Sequence, residues 1–418
     1  MLANSEMSNE SNSITAENRP KPLSGIRILD LSNVLAGPLG TYILALLGAE
    51  IIKIERPGSG DLSRKMGANA DYGRKSMGVS YLATNSNKKS ITLNLQTEEG
   101  RTLFRELVKT ADAVFENFRP GTMDRLGLSY EALSQLKPDL VYCAVSGFGR
   151  SGPLAKRAAY DQIIQGYSGL MSLTGTPETA PTRVGVVVCD ASSAITAGLA
   201  TLAALVRSRS TGIGALIDVS MLESTLHMAA WIVSNYLNAN HVPKPMGNEN
   251  MSAAPSGTFE TKDGLLNIVC NEEKQFHALC DALGRPELKT HPVFSDRHER
   301  IRSREQLRTI IAPLLMEQTA ADWEDFFADR GVPAGRIYSV PEILTHPQIS
   351  EREFIKELPE IPGVDGGAKV VGLGFKFDGE DLSPSTPPPV LGQHNREVLA
   401  EVGVCEDRLL ALKDAGVI

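Results

Sequence analysis

From Gly25 onward the chain alternates short runs of aliphatic and β-branched residues with stretches whose apolar positions recur every three or four residues. Ile26 to Ser32 reads as a strand, and the run from Gly37 to Ala49 as the helix after it. The series continues with a strand from Glu50 to Arg56, one from Lys89 to Leu95, a helix from Thr97 to Thr110 and a strand from Asp112 to Phe118. A helix from Leu126 to Leu136 and a strand beginning at Leu140 follow. This alternation predicts an α/β fold with a doubly wound, mostly parallel sheet and helices on both faces.

The run from Arg183 to Ala194, R-V-G-V-V-V-C-D-A-S-S-A, interrupts that regularity. Its valines predict a buried strand ending on Asp190, with a helix from Ala191 to Arg207 behind it. The carboxylate is then either the N-cap of that helix or a nucleophile held at the strand end, and the two roles are compatible because a helix N-terminus favours the ionised form. Full burial raises a carboxyl from its usual ~3.9 by up to ~3–5 units, more than a helix terminus can offset. A nucleophilic Asp190 therefore needs a polar cleft and backbone N–H donors. Small neighbours at Ala191, Ser192 and Ser193 are expected to leave it accessible. The glycine-containing loops Ser146 to Gly152 and Met246 to Gly257 are either sources of such donors or plain linkers.

The pattern divides the chain into a tail over 1–21, a large domain over 22–224, a linker and smaller α+β domain over 225–345, and a segment over 346–418 that returns to the large domain. The smaller domain opens with a hairpin whose turn carries Asp263-Gly264, followed by helices from Glu273 to Leu283, Ser303 to Gln318 and Ala320 to Asp329. The final segment from Glu397 to Leu412 reads as amphipathic.

Composition narrows the function. A net charge of -8 argues against a nucleic-acid partner, which requires a basic face. The first twenty residues, rich in Ser, Asn and Glu, lack the features of a signal or transit peptide and read as a disordered tail. The most apolar helix, Ala194 to Val206, falls short of a membrane span, so neither membrane insertion nor a membrane partner is expected. Five scattered cysteines without a C-x-x-C pair suit a reducing compartment, and the protein is expected in the cytoplasm. Seven isolated histidines predict no metal site.

Ligands of doubly wound sheets sit beyond the carboxyl ends of the strands. The loops there contain neither G-x-G-x-x-G nor a P-loop, which disfavours a nicotinamide dehydrogenase or an NTPase. Arg56, Lys88, Lys89, Arg119 and Arg125 lie in or after these loops. They are either solvated surface or a set of cations for the phosphates of a nucleotide-like ligand. Asp161, which starts a helical pattern, reads most simply as a helix cap.

The ordered runs L-D-L-S-N-V-L-A-G-P, L-G-A-E-I-I-K-I-E-R-P-G-S-G-D, E-N-F-R-P-G-T-M-D-R-L-G-L, S-G-F-G-R-S-G-P, Y-D-Q-I-I-Q-G-Y-S-G-L-M and T-G-I-G-A-L-I-D-V-S-M-L-E-S resemble the class III coenzyme A transferases. This CaiB/BaiF, formyl-CoA transferase-like family includes carnitine and bile-acid CoA transferases and the α-methylacyl-CoA racemases. The resemblance runs from Pro22 to Gly403. It implies a Rossmann-like large domain, an interlocked homodimer and Asp190 as the nucleophile. A CoA thioester is then a substrate, with no permanently bound cofactor, and the partner substrate is a small carboxylic or dicarboxylic acid. Carried over by motif, the CoA contacts are Leu35, Ala36, Arg56, Leu93, Asn94, Leu95, Gln96, Asn117, Phe118, Arg125, Ala158, Ala159, Tyr160 and Asp161.

Two positions depart from the family pattern. Leu35 stands where some members carry Gln, and D-A-S-S-A replaces the usual D-L-x-x-G after the catalytic carboxylate. The racemase branch resembles a different arrangement, with a His before the helix-opening Asp. Here that position is Tyr160, a poor base near neutral pH, so transfer is favoured over racemisation or epimerisation. Transfer between two carboxyls of one molecule and non-catalytic CoA binding stay open as alternatives.

Overall fold

The computed structural model describes residues 20–418. Residues 1–19 of the expected N-terminal tail lie outside that range. Two compact units result: one comprises the described residues up to Ile164, Val186–Ala230 and Glu353–Ile418, the other Gln165–Gly185 and Trp231–Arg352. Against the expected boundaries, the excursion Gln165–Gly185 leaves the first unit, and the second ends at Arg352 rather than 345. The cause of the first difference is local: the first boundary falls inside the helix Asp161–Tyr167, which the sequence pattern treats as one element.

The first unit is built on strands β1 (Arg27–Asp30), β2 (Glu50–Glu55), β3 (Lys88–Thr92), β4 (Ala113–Glu116), β5 (Val141–Ser146) and β6 (Ala215–Ser220). They form one all-parallel sheet in the order β3-β2-β1-β4-β5-β6. Strand order reverses between β1 and β4, which opens a crevice at their carboxyl ends. Three helices cover the sheet: α1 (Ala36–Leu46), α2 (Glu98–Thr110) and α3 (Val188–Thr211). On one face, α1 and α3 bury Leu44, Ala197 and Leu205 against Ile28, Ile51, Phe115 and Cys143. On the other, α2 and the C-terminal segment bury Leu103, Leu107, Val398 and Leu412 against Leu29, Ile52 and Val114.

The α1–α3 crossing is made by small residues. A Cβ at Gly40 would come within 3.1 Å of the Ala194 carbonyl and of the Phe115 ring, and Ala194, Ala197 and Gly198 are all buried on α3. Close backbone approach of this kind places the first turn of α3 next to the crevice.

In the second unit, β7 (Ser256–Glu260), β8 (Leu265–Val269) and β9 (Ala334–Arg336) form an antiparallel sheet. Helices Glu273–Ala282, Arg304–Leu315 and Ala320–Ala328 pack over a core containing Phe276, Phe294, Trp323 and Phe327. Four arginines pin the loop before and into β7. Arg297 donates to the Ser252 carbonyl at 2.9 Å, Arg300 to that of Ala254 at 2.9 Å and Arg304 to that of Asn250 at 2.7 Å. Arg308 pairs with Glu249 at 2.7 Å and also donates to the Thr258 carbonyl. The stretch from Met246 to Gly257 is thus a clamped loop, not a plain linker.

Two expected elements differ. The segment predicted as a helix over 126–136 breaks into Thr122–Arg125 and Tyr130–Leu136, because Gly127 turns through the left-handed region and Ser129 caps a new start. The C-terminal amphipathic segment forms two helices, Asn395–Ala400 and Glu406–Asp414, on either side of Gly403. The valine run is no strand: Val186 and Val187 are exposed, and α3 already begins at Val188. With 24 residues and a mean hydropathy of 1.5 in its most apolar window, α3 is, by length and composition alone, long enough to cross a membrane. Half of that window is buried inside the protein.

Candidate active site

The crevice at the switch point is bridged by two asparagines. After β1, the backbone of Asn33 donates to Asn117 Oδ1 at 2.8 Å, and Asn117 Nδ2 returns a bond to the Asn33 carbonyl at 2.8 Å. Asn117 follows β4 directly, so the side chain ties together the strands between which the order reverses. Beside this clamp lies a cavity of about 200 Å³ whose wall includes Leu35, Ala36, Asn117, Phe118, Ala158, Ala159, Tyr160 and Asp190. Ser146 and Gly147, from the end of β5, and Arg119 and Arg157 also line it.

Asp190 sits in the first turn of α3, neither at a strand end nor at the N-cap. The cap position is Val187, whose side chain offers no acceptor. Asp161 fills the role from a distant part of the chain: its Oδ1 accepts the backbone N–H of Cys189 at 2.8 Å and that of Asp190 at 3.4 Å. Both carboxylates therefore share one helix terminus. Burial, and then the nearby Asp161 charge, push the Asp190 carboxyl up from its ordinary value to about 7. Burial outweighs the helix terminus, as expected for a buried carboxyl, and Asp161 occupies the first N–H groups of that terminus.

The small residues after Asp190 have a different purpose from the one their size suggests. Ser192 and Ser193 are buried, and their hydroxyls donate back to the Cys189 carbonyl at 3.0 and 2.6 Å. They serve the close packing of α3 and do not widen the approach to Asp190.

A second cavity, of about 290 Å³, is lined by Arg56, Ser59, Gly60, Leu93, Asn94, Leu95, Gln96, Thr122 and Leu126. Asn33 and Phe118 belong to both cavity walls. Of the residues expected to contact CoA, all but Arg125 and Asp161 line one or both spaces. Arg125 is exposed and donates to Thr122 Oγ1 at 3.2 Å, while Asp161 is buried behind the wall as the cap of α3. Tyr160 is 66% exposed on the cavity wall.

The cations Lys88 and Lys89 are not available for phosphates. They open β3 at its amino end, away from the ligand-bearing edge. Lys88 Nζ is buried against Asp30 at 3.1 Å and the Pro38 carbonyl at 2.9 Å, whereas Lys89 pairs with Glu50 at 2.7 Å and Glu397 at 2.6 Å.

Sequence reasoning also passed over Glu116. This buried carboxyl accepts the Phe118 N–H at 2.6 Å and is pushed up to about 7 by burial. Its place beside the Asn-Phe pair in E-N-F was the available signal.

The crevice, the carboxylate on its rim and the adjoining space for a long ligand accord with what the chain resembles. The profile of CoA-transferase family III matches residues 23–395. The chain belongs to that family. This family III CoA-transferase, an enzyme that moves CoA between an acyl-CoA and a carboxylic acid, is 36% identical over 402 residues to the succinyl-CoA:glutarate CoA-transferase of Homo sapiens, covering 96% of this chain and 91% of the human one. It is 39% identical over 369 residues to the acetyl-CoA:oxalate CoA-transferase of Acetobacter aceti, covering 88% and 92% of the two chains. Among solved structures it is similar to a CAIB/BAIF family protein from Brucella suis. The TM-score is 0.79 at 34% identity, over 92% of this chain and 100% of that one.

Proposed function

We propose that this CoA-transferase moves CoA from a short acyl-CoA, such as succinyl-CoA, to a small dicarboxylic acid through covalent intermediates on Asp190. The observation that carries the reading is Asp190 on the wall of the switch-point cavity, beside the backbone of Ser146 and Gly147 and the cations Arg119 and Arg157. Relatives that act on glutarate, oxalate and D-citramalate support the acceptor class. Arg119 and Arg157 offer a counter-charge for the carboxylate that does not react.

The Asp190 carboxylate attacks the thioester carbonyl; a C–O bond forms, the C–S bond breaks, and CoA leaves as thiolate. The thiolate then attacks the Asp190 carbonyl of the mixed anhydride, expelling the donor acid and leaving an aspartyl-CoA thioester. The acceptor carboxylate attacks this thioester, forming a second anhydride and releasing thiolate. Attack of that thiolate on the acceptor's acyl carbonyl gives the new acyl-CoA and restores the Asp190 carboxylate. Each step exchanges one activated acyl bond for another, which divides a hard transfer into easier ones. The turn at Ser146–Gly147, on the same cavity wall as Asp190, is the candidate source of N–H donors for the oxyanions.

The same reading includes a homodimer in the cytoplasm. Ile195, Leu199 and Val206 form a stripe on α3 that is 60–72% exposed in the single chain, a face suited to a second copy. Four of the five free cysteines are buried, in keeping with a reducing compartment.

Hydroxylamine trapping during turnover tests the mechanism. Mass spectrometry should find Asp190 as its hydroxamate only when acyl-CoA is present. Full transfer activity in Asp190→Ala would sink the covalent route. Exchange of solvent deuterium at the α-carbon without transfer would replace it with racemisation.

A further inference from the structure

The rim between β1 and α1 is held almost wholly by buried charge. Lys53 and Asp61 form an ion pair at 2.8 Å with both side chains fully buried. Lys53 Nζ also donates to the Ser32 carbonyl at 2.8 Å, and Asp61 Oδ1 accepts the Val34 N–H at 3.0 Å. One pair thereby grips the chain on either side of Asn33, whose own N–H and carbonyl are taken by Asn117.

The residue so gripped is conformationally unusual. Val34 has φ of 67°, in the left-handed region that a β-branched residue avoids. Such a backbone persists only where its surroundings over-determine it. The next residues, Leu35 and Ala36, are wall of the Asp190 cavity, and Val34 itself lines it. The pair meets the cavity wall only through the Val34 N–H, and Asp61 Oδ1 also accepts the Ser63 N–H at 2.8 Å.

We propose that the buried Lys53–Asp61 pair is a positioning device for acyl transfer, holding Val34 in its left-handed backbone so that the Leu35–Ala36 rim keeps its place against Asp190. The proposal rests on the reading of Asp190 as the nucleophile. Replacing Asp61 frees the Val34 amide, and Val34 relaxes toward ordinary backbone angles and carries the rim with it.

Steady-state kinetics on the full chain test this. Asp61→Ala should lower kcat about 100-fold, the scale of a misplacement of about 1 Å, with KM for acyl-CoA changed far less. Adding Val34→Gly should restore at least about tenfold, because glycine adopts positive φ without steric cost. A role confined to overall stability predicts no such rescue.

Where Asp61→Ala fails to fold, Lys53→Met with Asp61→Leu keeps the packing while deleting both loop contacts, an exchange that buried pairs tolerate. It should show the same kcat loss and the same rescue. Folded variants with wild-type kcat, or a Val34→Gly change that restores nothing, overturn the positioning role. Activity in Asp190→Ala overturns the nucleophile instead, so the two failures are distinguishable.

Discussion

Asp161 caps the helix that carries Asp190, its Oδ1 lying 2.8 Å from the Cys189 nitrogen and 3.4 Å from that of Asp190 itself. One carboxylate thereby fixes where the other points and also makes it harder to ionise. Asp161→Asn keeps an acceptor for the helix but removes the charge. The acidic limb of the pH dependence of kcat/KM should move to lower pH, with little loss at its plateau. Asp161→Ala should lower stability by about 0.5–2 kcal/mol, the usual cost of a lost cap, and lower kcat as well. Rate profiles from pH 5 to 9 separate the two effects.

Asp190 is expected to trade stability for reactivity. Its folded pKa, about 7, lies above the ordinary value of 3.8, so the folded chain holds a proton that the unfolded chain has released. The resulting penalty is absent below that ordinary value, grows as pH rises and is fully present above about 7. At roughly 1.4 kcal/mol per pH unit between the two values it amounts to about 4 kcal/mol at pH 8. Asp190→Asn should abolish transfer while raising the melting temperature at pH 8, with little change near pH 4. Wild-type kcat/KM should rise with pH through about 7 as the carboxylate forms. An Asn variant no more stable at pH 8 than at pH 4 would contradict the burial cost.

Strands β1, β2, β4 and β5 were legible as short apolar runs bounded by polar turns, as in Ile28–Leu29 and Val141–Val145, whereas β6, interrupted by Asp218, was not read as a strand. The valine run before Asp190 misled because period and composition do not report burial. Val186 is 64% exposed, and a run that ends in the first turn of a helix looks, in sequence, like a strand that stops. Asp190 and most of the cavity wall followed from motifs. What was not legible were pairings over long separations: Asp161 with α3, Lys53 with Ser32 and Asp61 with Val34. Each joins residues whose spacing carries no periodic signal. Lys88 shows the converse error, a cation read as either solvated surface or a phosphate ligand that the fold instead buries against Asp30.

Gly147 is predicted to be intolerant of any side chain. A Cβ there would collide with that of Ala159, and both residues line the Asp190 cavity. Gly147→Ala should push the two loops apart and lower kcat by about 10–100-fold, while overpacking costs roughly 1–3 kcal/mol of stability. Pairing it with Ala159→Gly removes the colliding methyl and should recover most of the rate. Kinetics of the single and double variants, with melting curves for each, check the coupling.

Glu116 offers the sharpest separation of site geometry from stability. Its carboxyl is buried, lies at the end of β4 and accepts the Phe118 N–H at 2.6 Å, while Phe118 is wall to both cavities. Burial raises its pKa from 4.5 to about 7, so its ionisation weighs against the fold increasingly as pH climbs through that window. Glu116→Gln retains an oxygen for the Phe118 amide and has no charge to desolvate. It should keep near-wild-type KM for acyl-CoA and be more stable than wild type at pH 8 by about 1–3 kcal/mol, with the gain vanishing below pH 4.5. Glu116→Ala leaves the amide without its acceptor, at a cost of about 1–3 kcal/mol, and frees the Phe118 backbone. Its KM for acyl-CoA should rise several-fold. Equal KM values in the two variants would show that the carboxyl shapes neither cavity, and an Ala variant as stable as Gln would show that the Phe118 bond contributes nothing to the fold.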